Sequence, residues 1–165
     1  MLTVLAKLLK ALNSEQSPNQ LAMAVCLAAI LGLTPLMSLH NIFVVLIALW
    51  FRVNLSILIV SYPLFALLGY LLSPVFESVG LSILQAQALV PMWESFFNTV
   101  IGRWSNFYFS GVIGSLIIAV ASGVVLFPAT RIAVAQYRAK WLAKFDQFKV
   151  TRMLKASKFW QLYSD

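Results

Sequence analysis

Polar side chains that could do chemistry are scarce in this chain. The densest group lies within eight positions, at Thr34, Ser38, His40 and Asn41, flanked by leucines. A helix beginning at Pro35 with Thr34 as its cap would turn free N–H groups and a positive dipole end toward this cluster. Such a terminus holds an anion, for instance a lipid phosphate. The plainer use of the same residues is structural, with Thr34 capping the helix and Ser38, His40 and Asn41 bonding neighbouring helices. Arg52 and Asn54 come next. They read either as a snorkelling arginine and a cap for a helix starting at Leu55, or as a lipid headgroup contact. Glu77, Glu94 and Arg103 form a third group. They are solvated, paired with one another, or part of a docking surface for a partner.

The residue inventory excludes much else. One histidine, one cysteine (Cys26) and five acidic residues leave no metal-ligand spacing, no disulfide and no dense proton relay. There is no glycine-rich phosphate loop, no nucleophile elbow and no paired-carboxylate constellation. The expectation is a chain that is not an enzyme and needs no metal or cofactor.

The elements that must position these residues follow from composition. Of 165 residues, 61% are hydrophobic and 10% charged. Soluble domains are about half apolar and about a quarter charged, and a domain this small cannot hide so much apolar surface in one core. The reading is therefore an all-α integral membrane protein, formed as one domain. Residues 1–13 fit an amphipathic interfacial helix, with Leu5, Leu8, Leu9 and Leu12 opposite Lys7 and Lys10. Residues 18–51 form a pair of short apolar helices broken at Thr34-Pro35. At 1.5 Å per residue each piece is about 22–25 Å long, short of the about 30 Å hydrocarbon core. The pair is thus either a re-entrant hairpin or two thin, tightly packed spans. Residues 55–73, kinked by Pro63, and 107–128, ending at Pro128, read as two full transmembrane spans. Gly111, Ser115, Ser122 and Gly123 offer small surfaces for close packing in the second of these. The mixed stretch 74–106 between them reads as interfacial helices on the outer side.

Charge sets the orientation. The net charge of +7 is concentrated after residue 130, at Arg131, Arg138, Lys140, Lys144, Lys149, Arg152, Lys155 and Lys158. Basic residues beside a span mark the cytoplasmic face and contact anionic lipid. Directly attached to an apolar span, they are a topology signal and not a nucleic-acid footprint. Within 131–163, Tyr137, Trp141, Phe145 and Phe148 share one helical stripe, as expected of an amphipathic tail at the headgroup boundary. Two crossings and a returning hairpin place both termini in the cytoplasm of a bacterial cell, with the chain in its inner membrane.

Prolines 18 and 35 are 17 residues apart, and so are prolines 74 and 91. Laying residues 17–53 on 73–109 gives six identities in 37 positions, at Ser17, Pro18, Leu33, Pro35, Val44 and Phe51. An inverted repeat with broken helices is a transporter architecture, so a stand-alone carrier or scramblase for lipid or a small solute is one functional reading.

From Ser17-Pro18 to Pro63 the pattern resembles a known family. Ser-Pro opens an Ala-rich helix, Gly32-Leu33-Thr34-Pro35 breaks it, and Phe51-Arg52-Val53-Asn54-Leu55 precedes the next helix. This is similar to the bacterial membrane family called domain of unknown function 2062, over roughly residues 10–130. Tyr62-Pro63 departs from the Asn-Pro frequent in that family, so no role of the asparagine carries over. The compact length resembles a subgroup encoded in gene pairs with a large, periplasm-spanning envelope protein similar to phospholipid conduits. The resemblance implies the other functional reading: a non-catalytic inner-membrane subunit that docks the larger protein and assists phospholipid transfer.

Overall fold

The computed structural model describes residues 17–142, with side chains as far as residue 139. The expected helix at 1–13, the side chain of Lys140, and the tail with Lys144 and Lys149 lie outside the described residues. All regular structure among the described residues is helical.

Helix α1 (Pro18–Leu33) begins as the sequence predicts. Ser17 accepts the Gln20 N–H, the Gln20 side chain accepts the Ser17 N–H at 3.0 Å, and Pro18 fills the first turn. Its alanines keep it thin, so neighbours approach closely around most of its circumference. Leu21, Ala22, Ala24, Leu27, Ala28 and Ala29 are all buried. This short helix is the centre of the bundle.

Helix α2 (Leu39–Trp50) folds back along α1. Its stripe Val44 and Ala48 joins Leu21, Ala24, Leu27, Ala28 and Leu31 in one cluster, while Ile42, Phe43, Leu46, Leu49 and Trp50 stay exposed. Helix α3 (Leu55–Leu71) starts beside the beginning of α1, capped by Asn54, whose Oδ1 accepts the Ile57 N–H at 3.0 Å. It runs parallel to α1 until Gly69 meets Gly32. Pro63 lies inside α3 without ending it. Pro74 does turn the chain, because its ring displaces the carbonyl of Tyr70. Helix α4 (Ser73–Leu84) consequently leaves α3 at 69°.

After a 3-10 turn at Gln87–Leu89, the short helices α5 (Val90–Phe97) and α6 (Val100–Trp104) form a tight hairpin. A Cβ on Gly102 would strike the Phe96 carbonyl. Trp93 stacks on Phe97 at 5.5 Å and donates Nε1–H to the Ile83 carbonyl at 3.3 Å. Helix α7 (Ser110–Gln136) then runs antiparallel to α1. Val134 joins the cluster around Leu21, and the Cys26 thiol faces the Gly123 carbonyl at 3.6 Å. Pro128 does not end α7; the helix passes through it to Gln136 and continues as a π-helical turn, Tyr137–Leu142.

Ser110–Ala139 is long and apolar enough to cross a membrane, with mean hydropathy 2.3 over its best window. The bent pair α3–α4 reaches that standard only when its two arms are counted together.

Two glycines bring α4 and α7 into backbone contact. A Cβ on Gly80 would collide with the Ser110 carbonyl, and one on Gly114 with the Phe76 carbonyl. Ser110 and Gly114 form a small-xxx-small pair, one residue before the positions Gly111 and Ser115. Gly123 has no atom within 4 Å of where its Cβ would stand. Gly114→Ala is therefore expected to destabilise the protein by about 2–3 kcal/mol through overpacking. Gly123→Ala stays within about 0.5 kcal/mol. Thermal unfolding in mild detergent measures both.

Candidate functional site

The segment between α1 and α2 is not a helix start. Thr34 is the C-cap of α1, residues 35–37 turn, and α2 begins at Leu39 with Ser38 at its N-cap. The Thr34-Pro35 pair has the local form of an N-cap, yet tertiary bonds decide otherwise. Thr34 Oγ1 lies 2.7 Å from the Ile30 carbonyl and 3.1 Å from Asn41 Oδ1. Asn41 Nδ2 donates back to the carbonyls of Pro35 at 2.9 Å and Leu36 at 3.2 Å. Asn41 thus staples the turn from inside, and Thr34, Ser38 and Asn41 are all buried. The positive helix end expected at Pro35 lies instead at Leu39, and the negative end of α1 faces it across the turn, so the two dipole ends offset each other there.

His40 stands apart from the staple. Its ring packs on Phe107 with centroids 5.9 Å apart, and both of its ring nitrogens are buried without a hydrogen-bond partner. Arg52 and Asn54 lie at the other end of the twelve-residue α2, about 18 Å away. Thr34, Ser38 and Asn41 are therefore one group, and Arg52 with Asn54 another. Asn54 is used by the α3 cap. Arg52 is exposed in a left-handed conformation, φ 48°, and closes α2 in a Schellman turn: its N–H bonds the Leu49 carbonyl and the Val53 N–H bonds that of Ala48. Glycine normally fills that position. Arg131 and Arg138 lie on α7 and the π-turn near Val134, at this same end. Glu77, Glu94 and Arg103 are exposed on α4, α5 and α6, toward the opposite end.

What sequence reading did not assemble is a cleft of about 250 Å³ at the end of α1. Its walls are Gly32 to Pro35, Gly69, Tyr70 and Ser73 at the α3–α4 bend, Phe76 on α4, and Gly111 and Ser115 on α7. The glycines matter because Gly32 and Gly69 press backbone on backbone: a Cβ on Gly69 would come within 2.9 Å of the Gly32 oxygen. Beside the cleft, Glu77 Cγ lies 3.8 Å from where a Gly111 Cβ would stand. The small residues of α7 were visible in the sequence. Their meeting with residues some forty and eighty positions earlier was not.

Among the described residues no group of three His, Cys, Asp or Glu side chains is placed to hold a metal ion. The arrangement is suited to binding: buried hydroxyls and backbone carbonyls edge an apolar cleft. Asn41→Leu should release the turn and cost about 1–3 kcal/mol by leaving the Pro35 and Leu36 carbonyls unpaired. His40→Phe, which keeps the ring contact and removes two unsatisfied polar atoms, should be neutral or stabilising by a similar amount. Chemical unfolding of both variants in the same detergent distinguishes the two roles.

Comparison with known proteins reaches the same family as the motif around Arg52-Val53-Asn54-Leu55. A protein of Treponema pallidum (strain Nichols), named only "Uncharacterized protein", is 26% identical over 138 residues, covering 84% of this chain and 85% of its own. No solved structure matches. The family model described as uncharacterized protein conserved in bacteria, DUF2062, matches residues 3–142. With most of its length inside that match, the chain belongs to the bacterial family DUF2062.

Proposed function

We propose that the protein is a multi-pass component of the bacterial inner membrane. It serves as a non-catalytic subunit that docks a larger envelope protein and assists phospholipid transfer. One observation carries the membrane reading. Helices α1, α2 and α3 contain no charged residue, and α2 and α3 leave large side chains such as Phe43, Leu46, Ile59 and Leu64 more than half exposed. Water would not support such a surface.

In this reading the α1–α2 hairpin enters from the cytoplasmic face and returns, α3–α4 crosses as a bent span, and α7 crosses back. Both termini then lie in the cytoplasm. Arg52, Arg131 and Arg138 gather at that face, in keeping with the positive-inside rule, and Lys140, Lys144 and Lys149 extend the contact with anionic lipid. Trp93, Trp104, Tyr108 and Phe109 fall in the opposite segment, as an aromatic belt requires. Glu77, Glu94 and Arg103 present the docking surface there. The cleft at the end of α1 supplies a polar niche within the bilayer for a headgroup.

A stand-alone transporter is the second reading, and it would draw on the repeat spacing. The packing does not favour it: α1 runs parallel to α3, whereas α4 runs antiparallel to α7. Purification of the tagged full-length protein from membranes in mild detergent should bring down one large envelope protein in fixed ratio. Reversing Glu94→Lys and Arg103→Glu together should reduce its recovery about fivefold or more. Recovery of the chain alone, also after cross-linking, would reject the docking role.

A further inference from the structure

We infer that His40 is a proton-sensitive contact, holding the first turn of α2 against Phe107 when neutral and releasing it when protonated. The contact joins two segments far apart in the chain. His40 is the second residue of α2, and Phe107 lies three residues before α7. The same segments carry two walls of the cleft: Thr34 and Pro35 shortly before His40, Gly111 and Ser115 shortly after Phe107. The inference goes beyond the docking and lipid-transfer reading and does not need it.

The geometry admits only the neutral ring. The imidazole stands 5.9 Å from the Phe107 ring, tilted by 31°, and Phe107 stacks in turn on Phe96 of α5 at 6.0 Å. Both ring nitrogens are buried, and neither has a hydrogen-bond partner among the described residues. A neutral imidazole leaves one donor and one acceptor unpaired there. An imidazolium would leave two donors and a full charge. The polar residues nearby in sequence are committed elsewhere: Thr34 and Asn41 hold the turn, and the Tyr108 hydroxyl donates to Asn106. At 5.9 Å the Phe107 ring is at the edge of cation–π reach and supplies no acceptor.

No neighbouring charge offsets this. The ends of α1 and α7 nearest the contact carry no charged side chain. Glu77 on α4, Glu94 on α5 and Arg103 on α6 are exposed, and Arg52 is at the far end of α2. None of them, nor Tyr108, contributes to the titration of His40. The arm that must move is lightly held. Only Asn41, Val44 and Ala48 of α2 are buried, so its first turn parts from Phe107 without opening the packing around α1. In the membrane reading residues 105–109 lie at the outer face, where a released imidazolium meets water and headgroups.

The sign follows directly. The docked ring takes no second proton, whereas a released one does so at the ordinary histidine value of about 6.5. The contact is therefore complete above that value and weakens as pH falls through it. At pH 5.5 the ratio of docked to released forms should have shifted about tenfold.

His40 is the only histidine in the chain, and no other side chain ordinarily changes charge between about pH 5 and 8. The full-length protein is placed in nanodiscs, and amide hydrogen exchange of residues 36–43 and 105–110 is read at pH 7.5 and 5.5, corrected for intrinsic rate. Both segments should exchange up to about tenfold faster at the lower pH. In His40→Phe, which keeps a ring on Phe107, and in His40→Gln, which has none, the two pH values should give the same exchange. Ring signals of labelled histidine in the unaltered protein give a second measurement, with an imidazolium signal growing as the segments open. The inference is overturned if exchange is unchanged at pH 5.5, or if the change survives in either variant. A ring that titrates while residues 105–110 stay protected overturns it equally.

Discussion

Backbone-to-backbone contact at glycine is what the rest of this structure depends on. In a bilayer, apolar side chains gain little by leaving lipid for protein, so helices associate through close packing and weak polar contacts. The α4–α7 crossing meets that requirement twice over, Gly80 against the Ser110 carbonyl and Gly114 against that of Phe76. Reciprocal Cα–H···O contacts of this kind contribute about 0.5–1 kcal/mol each. Gly32 and Gly69 perform the same task between α1 and α3. The alanines of α1 extend it along the whole central helix. The glycines are what allow these apolar helices to cross so closely.

The close crossings also border a buried polar group, Thr34, Ser38, Asn41 and Ser115, at the end of α1. Because α1 stops at Thr34 while α7 continues past it, the α1–α2 hairpin ends below the rim formed by α4 and residues 105–110. The turn there is held by Asn41, and the α3–α4 bend at Pro74 forms one wall of the cleft at the end of α1. Backbone break, proline bend and glycine contact are thus one connected arrangement. The strained Arg52 belongs to the other end. Arg52 takes a left-handed conformation in which glycine would fit without strain, at the same end of the bundle as Arg131.

Much of the helix punctuation was legible because it is local. Ser17-Pro18 and Asn54 carry their own capping chemistry, and each caps the helix expected of it. Thr34-Pro35 shows the same local form and behaves differently. The Thr34 hydroxyl turns back to Ile30, and Asn41, seven residues ahead, holds the turn open. Pro63 and Pro128 illustrate the same limit: both lie inside helices that pass through them, whereas Pro74 sits in the first turn of α4, where the chain bends. The small residues of α7 were readable as a contact surface, but the register of contact falls on Ser110 and Gly114. The cleft draws on Gly32, Gly69 and Gly111, whose proximity exists only in three dimensions.

The central claim is that the α1–α2 turn ends within the bilayer, reached from the basic face. The direct measurement is the depth of a label on Met37, the most exposed side chain of that turn at 91%. A Met37→Cys variant in a Cys26→Ala background, reconstituted in vesicles and spin-labelled, reports collisions with oxygen and with a water-soluble nickel chelate. The account predicts high oxygen and low nickel accessibility at Met37, with the reverse at a label on Asn98. Strong nickel accessibility at Met37 would place the turn in water and contradict it.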